Sequence, residues 1–164
     1  MKKHLKLILL GAVCVVAIPL SAQITLVKKQ KPVARICVVG DTNADKQAAE
    51  LSQDFVCRIS QASLPIVNNE KPRKGDIVIG ESHAEAGEDG FLLKTENEKL
   101  YIRTGGDKGS IYGVVTLLEQ YLGVSYLAKD VCNYTPMESI ELPALAHQET
   151  PAFRYRQTFS YGNE

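Results

Sequence analysis

Two short stretches of this 164-residue chain gather the residue types that chemistry uses. Gly80, Glu81, Ser82, His83, Ala84 and Glu85 follow an apolar run and place an acid, a hydroxyl and an imidazole in one loop, so hydrolysis is thinkable. A nucleophilic serine also needs an oriented base and oxyanion donors. This stretch has neither a G-x-S-x-G turn nor a carboxylate spaced to orient His83, so a solvated loop is the plainer reading. Thr104 to Ser110 (TGGDKGS) brings glycines, a lysine and a hydroxyl to a helix start, a composition that superficially suits phosphate cradling. The order is wrong for a P-loop, in which the lysine precedes the hydroxyl directly; here Gly109 stands between Lys108 and Ser110. A tight turn with close backbone packing is expected instead.

The remaining chemical groups are dispersed. His147 lies between Pro143 and Pro151, far from any other histidine, so no metal pair is formed and neither metal nor cofactor is expected. Glycoside hydrolysis needs two carboxylates across a cleft. Glu96, Glu98, Glu119 and Asp130 fall in turns or on the polar side of a helix, and no pair declares itself. Cys37, Cys57 and Cys132 are too few for a disulfide framework and read as buried small hydrophobes, with a Cys37 to Cys57 bridge left open. Tyr126, Tyr134, Tyr155 and Tyr161 could stack on sugar rings if exposed.

The amino terminus explains where such a chain would work. Lys2, Lys3 and Lys6 precede an apolar run from Leu7 to Ile18, too short to span a bilayer and ended by Pro19, with Ser21 and Ala22 suited to cleavage before Gln23. Residues 1–22 read as a signal peptide, giving an exported protein in the periplasm or outside the cell. Val13 before Cys14 is branched where lipoprotein processing wants a small residue, so no membrane anchor is expected. Nineteen basic residues balance nineteen acidic ones, and loss of three leader lysines leaves sixteen against nineteen. That mild acidity, without long like-charge runs, argues against nucleic acid as a partner.

The elements follow from periodicity. Arg35 to Val39 is a short strand, and Asp41, Thr42 and Asn43 start a helix whose Ala44, Ala48, Leu51, Phe55 and Ile59 form one apolar stripe. An extended piece at Ile66 and Val67 and a buried strand from Asp76 to Gly80 follow. Phe91 to Leu93 and Leu100 to Ile102 form a hairpin through Glu96, Asn97 and Glu98. A second helix carries Ile111, Val114, Val115, Leu118, Tyr121 and Leu122 and stops at Gly123. From Val124 the chain is loop-rich with a strand near Ile140, and Pro143 and Pro151 bracket a stiff exit that reads as a linker. The expected fold is α+β, an α/β sandwich: a mixed, mostly antiparallel sheet with two helices on one face. The domains expected are 1–22 signal peptide, 23–150 α/β domain, and 151–164 linker or start of a barrel.

Gly109 to Leu118 (GSIYGVVTLL), followed by EQYLGV, resembles the G-x-x-Y-G-x-x-T-L-L helix of the N-terminal domain of bacterial β-N-acetylhexosaminidases of glycoside hydrolase family 20. Similar domains precede the barrel of family 67 α-glucuronidases. The stretch from Gly109 through Asp130 and Leu142-Pro143-Ala144 to Pro151-Ala-Phe-Arg-Tyr-Arg156 is closer still to the leader domain of uncharacterised exported glycosidase-like proteins. The resemblance implies a non-catalytic support domain, truncated before the catalytic TIM barrel that would be its partner in cis. It supplies no catalytic residue. Phe153, Arg154, Tyr155 and Arg156 match the F-x-x-R part of a strand that opens the family 20 barrel, so Arg156 would bind sugar hydroxyls once a barrel is present; Gln157 stands where that family has glycine. The other reading is a stand-alone exported module that binds carbohydrate or protein.

Overall fold

The computed structural model describes residues 23–106, 108–128 and 131–151. Residues 1–22, where the signal peptide is expected, Asp130 and the segment holding Arg156, Tyr155 and Tyr161 lie outside the described residues.

The strands are β1 (Ile24–Lys28), β2 (Lys31–Pro32), β3 (Ile36–Val38), β4 (Ile66–Asn68), β5 (Ile77–Ser82), β6 (Phe91–Glu96), β7 (Lys99–Thr104), β8 (Ser125–Ala128), β9 (Val131–Asn133), β10 (Ile140–Leu142) and β11 (Ala146–Glu149). Two helices, α1 (Asn43–Ser60) and α2 (Gly109–Thr116), complete the domain. The main sheet has six strands in the order β11-β6-β7-β5-β3-β4, and smaller sheets join β10-β1-β2 and β8-β9. The α+β class holds. Five of the eight pairings are antiparallel, but within the main sheet β3 pairs in parallel with β4 and β5, and β5 with β7. Helix α1 connects β3 to β4, as parallel pairing requires.

One face of the main sheet is a continuous apolar row. Ile36, Ile77 and Leu100 stand side by side, as do Val38, Ile79, Ile102 and Leu93, and none is more than 2% exposed. Both helices cover this face. Thr42 caps α1: its hydroxyl accepts from the Asp45 amide while the Asp45 carboxylate accepts from the Thr42 amide, a reciprocal box that satisfies two otherwise orphaned donors. Lys46, Gln47, Glu50 and Asp54 face water, as their spacing implies.

Helix α2 departs from its expected stripe. Ile111, Val115 and Tyr121 are only half-buried, whereas Gly113, Val114, Leu117 and Leu118 are buried. Beyond Thr116 the helix continues as a π-helical turn over Leu117–Tyr121, which widens it and shifts the phase of the residues from there on. Gly113 brings α2 close to the sheet: a Cβ there would lie 2.7 Å from Ile102 Cγ2. Gly123 ends the helix with φ +68°, a left-handed conformation suited to glycine.

The β6-β7 hairpin turns through Asn97 and Glu98, both in the left-handed region (φ 49° and 57°), which matches the right-handed twist of the flanking strands. The proline-bracketed exit is not a linker throughout. Residues 146–149 pair antiparallel with Phe91 to Lys94 as the edge strand β11, and the Leu145 carbonyl accepts from the Thr95 amide. In the three-stranded sheet β1 pairs with β10, and Leu26, Val27, Ile140 and Leu142 join the same core as the helices.

Candidate functional site

The parallel strands β3, β5 and β7 end at one edge, where loops and both helix starts meet. This is the place at which α/β sheets most often build a ligand crevice. Here that edge is filled by the protein itself. Gly40 and Gly80 leave room for the Asp45 carboxylate: a Cβ on Gly40 would fall 2.1 Å from Asp45 Oδ2, and one on Gly80 would fall 2.8 Å from Asp45 Cγ. Asp45 is 1% exposed. Its Oδ2 accepts from the Thr42 hydroxyl at 2.7 Å, and its Oδ1 accepts from the fully buried Ser110 hydroxyl. One carboxylate thus ties the start of α1 to the start of α2.

The glycine-rich stretch before α2 is packed as tightly. A Cβ on Gly105 would lie 1.8 Å from the Gly87 carbonyl, and Cβ atoms on Gly106 and Gly109 would each lie 2.2 Å from the carbonyls of Glu88 and Gly90. Thr104 donates its hydroxyl to the Gly106 carbonyl, and Gly105 donates its amide to Gly90. Backbone carbonyls of the 87–90 turn occupy the space an anion would need, and the Ser110 hydroxyl is committed to Asp45.

Glu81, Ser82 and His83 do not converge. Glu81 points to Arg103 on the outer face of the sheet, Ser82 is exposed, and His83 Nε2 is buried without a hydrogen-bond partner among the described residues. Arg103 also reaches Glu96 at 3.1 Å and lies 4.5 Å from the centre of the Tyr101 ring. Burial opposes the charge on Arg103, but its hydrogen bonds to Glu81 and Glu96 outweigh that and hold it protonated. The hydrogen bond from Arg103 keeps the Glu96 carboxyl below the usual range. The two acids are therefore counter-ions of one guanidinium and seal the outer sheet face with charge.

A more deeply buried pair closes the β3-β5 side. Arg35 donates to Asp76 from Nε at 3.2 Å and from Nη2 at 2.7 Å, and the Arg73 amide donates to the same carboxylate. Burial pushes the Asp76 carboxyl up, yet the hydrogen bonds from Arg35 and Arg73 bring it below the usual value.

Other sequence candidates are placed plainly. His147 sits on β11, stacked 6.0 Å from Phe91, with Nε2 2.9 Å from Glu149. Cys37 is buried in the sheet and free; Cys57 is exposed on α1 and also free, so the bridge between them is not formed and only Cys37 behaves as a buried hydrophobe. Tyr126 is 41% exposed and packs edge-on against Phe55. Among the described residues no group of three or more His, Cys, Asp or Glu side chains is placed to hold a metal ion, and no helix is long and apolar enough to cross a membrane. The buried Asp45 was missed by the sequence reading. Its signal was the Thr-x-x-Asp box preceded by Gly40.

A mixed sheet backed by two helices, with the ends of its parallel strands closed by glycine packing, defines the chain as an α/β domain. The chain matches the family described as glycosyl hydrolase family 20, domain 2, over residues 18–125, and it belongs to that family. Solved structures with the same fold include the GH20 exo-β-N-acetylglucosaminidase from Vibrio harveyi in complex with N-acetylglucosamine (22% identity, 82% of this chain and 18% of that one, TM-score 0.54). The GH20 β-N-acetylhexosaminidase from Streptomyces coelicolor A3(2) is similar at 17% identity, over 83% of this chain and 25% of that one, with TM-score 0.59. A GH115 4-O-methyl-α-glucuronidase with specificity for decorated arabinogalactans is similar at 19% identity, over 80% and 19%, with TM-score 0.57. The chain thus spans between about a fifth and a quarter of the length of these enzymes. No curated protein matches it.

Proposed function

We propose that this chain is the non-catalytic N-terminal support domain of an exported glycoside hydrolase acting on polysaccharide or glycan, working with a catalytic TIM barrel in cis. The observation that carries the reading is the family match, which is to an accessory domain rather than to a catalytic one. The surface supports it. The outer side of α2 presents Ile111, Tyr112 and Val115, with Tyr112 42% exposed, on a helix whose other sides are already buried. A helix apolar on nearly every side is one that expects a further layer. The opposite face of the sheet, under Arg103 and its two acids, is dressed for water. The barrel therefore covers α2. Export rests on the lysines and apolar run of residues 1–22, and places the enzyme in the periplasm or outside the cell. In the assembled enzyme Arg156 contributes to holding sugar hydroxyls.

The test is to raise antibodies to residues 23–150 and recover the native product from cells and medium. A polypeptide several times longer than 164 residues, in the exported fraction and active on aryl glycosides, is the expected result. An exported product of this domain's own size that binds glycan or protein without turnover would replace the proposal with a stand-alone binding module.

A further inference from the structure

We infer that the β1-β2 hairpin is a docking point for an acidic polysaccharide, a chain carrying uronate or sulfate groups. In the ladder Lys28 stands directly opposite Lys31, and Lys29 forms the two-residue turn with Gln30. All three lysines are exposed. Two like charges facing each other across a ladder destabilise it. The turn adds strain, because Lys29 (φ 48°) and Gln30 (φ 59°) both take the left-handed conformation that such turns usually give to asparagine and glycine.

No paired opposite charge offsets that repulsion. Among the described residues none of the three lysines is in an ion pair. The neighbouring strand and its approach carry exposed Glu138 and Glu141, but Glu138 meets the turn through its backbone carbonyl, which accepts from the Gln30 amide. Ser139 meets it through a hydroxyl that accepts from the Lys29 amide. The turn is thus held rigidly from below while its charges are left bare. A lysine on an edge strand also deters pairing with other chains, but one lysine serves that purpose and a facing pair is not needed. A flexible polyanion with a charge on each sugar would bridge Lys28 and Lys31, relieve their repulsion and release counter-ions.

This inference rests on the glycan reading and narrows it to acidic polymers. The purified protein is titrated with polygalacturonate at about 20 mM and about 150 mM NaCl, with dextran as the neutral probe and phosphatidylglycerol vesicles as the lipid probe. Expected is polygalacturonate binding that falls with salt, is weakened roughly tenfold in K28Q/K29Q/K31Q, and changes less than about twofold in the charge-matched K46Q/K71Q/K108Q. Circular dichroism of both variants verifies the fold. Equal losses in the two variants, binding to vesicles but not to polygalacturonate, equal binding to dextran, or no binding at low salt would each overturn it. The two proposals fail separately: polyuronate binding by a protein whose native product has no glycosidase activity leaves the hairpin site standing and removes the support-domain reading.

Discussion

Replacing Asp45 with alanine removes a carboxylate on which both helix starts depend. Three interactions go at once: the acceptor for the Thr42 amide, the acceptor for the Thr42 hydroxyl, and the acceptor for the Ser110 hydroxyl. Ser110 has no exposure to solvent, so its hydroxyl is left unpaired, at about 1–3 kcal/mol. Loss of the charged acceptor at the first turn of α1 adds about 1–2 kcal/mol through the cap and the helix dipole. The space beside Gly40 and Gly80 is too shaped by the carboxylate to collapse freely. The total expected is about 2–5 kcal/mol, or a melting temperature lower by about 6–15 °C for a domain of this size. Thermal and urea unfolding of Asp45→Ala, Ser110→Ala and the double variant measure it. A coupling of about 1–2 kcal/mol between the two sites is expected. A loss under about 1 kcal/mol for Asp45→Ala, or strict additivity, would show that the two helix starts are held by something else.

Gly113→Ala should destabilise by about 1–2 kcal/mol in urea unfolding, because the clash with Ile102 exceeds the roughly 1 kcal/mol gained in helix propensity; a stabilised variant would mean that α2 can lift from the sheet. Asp76 titrates below its unfolded value, so its contribution is present above about pH 4 and is lost as pH falls through the lower folded value. Asp76→Asn should therefore be less stable at neutral pH and show a flatter acid limb below about pH 4, read from melting temperature against pH. Lys31→Glu turns a repelling pair with Lys28 into an attracting one and should raise stability by about 0.3–1 kcal/mol at low salt, with the gain shrinking as NaCl is added. Purified protein should release no p-nitrophenol from aryl N-acetylglucosaminides, and turnover that survives repurification would contradict a support role.

Legibility followed locality. The β6-β7 hairpin and α1 announced themselves because turn, cap and stripe lie within a few residues of one another. The β1 strand did not: β2 adds only a two-residue partner, and its longer pairing, with β10 near Ile140, joins residues more than a hundred apart and leaves no local mark. The sequence Ala-His-Gln-Glu has little strand propensity, and β11 forms because the open edge of β6 supplies its hydrogen bonds. In α2 the π turn defeats any single period. At the candidate site, the glycines of 105–109 were visible, but whether their space would hold an anion or another stretch of backbone depended on where residues 87–90 travel, which composition does not encode.

Because β11 is stitched to β6, the polypeptide reaches Thr150 along a strand held by the sheet rather than on a tether. It departs from the border of the sheet beside β6, one of the two strands on which α2 rests. The exit of the domain is therefore pinned in the ladder, and what comes after Thr150 begins from a fixed berth and not from a loose end.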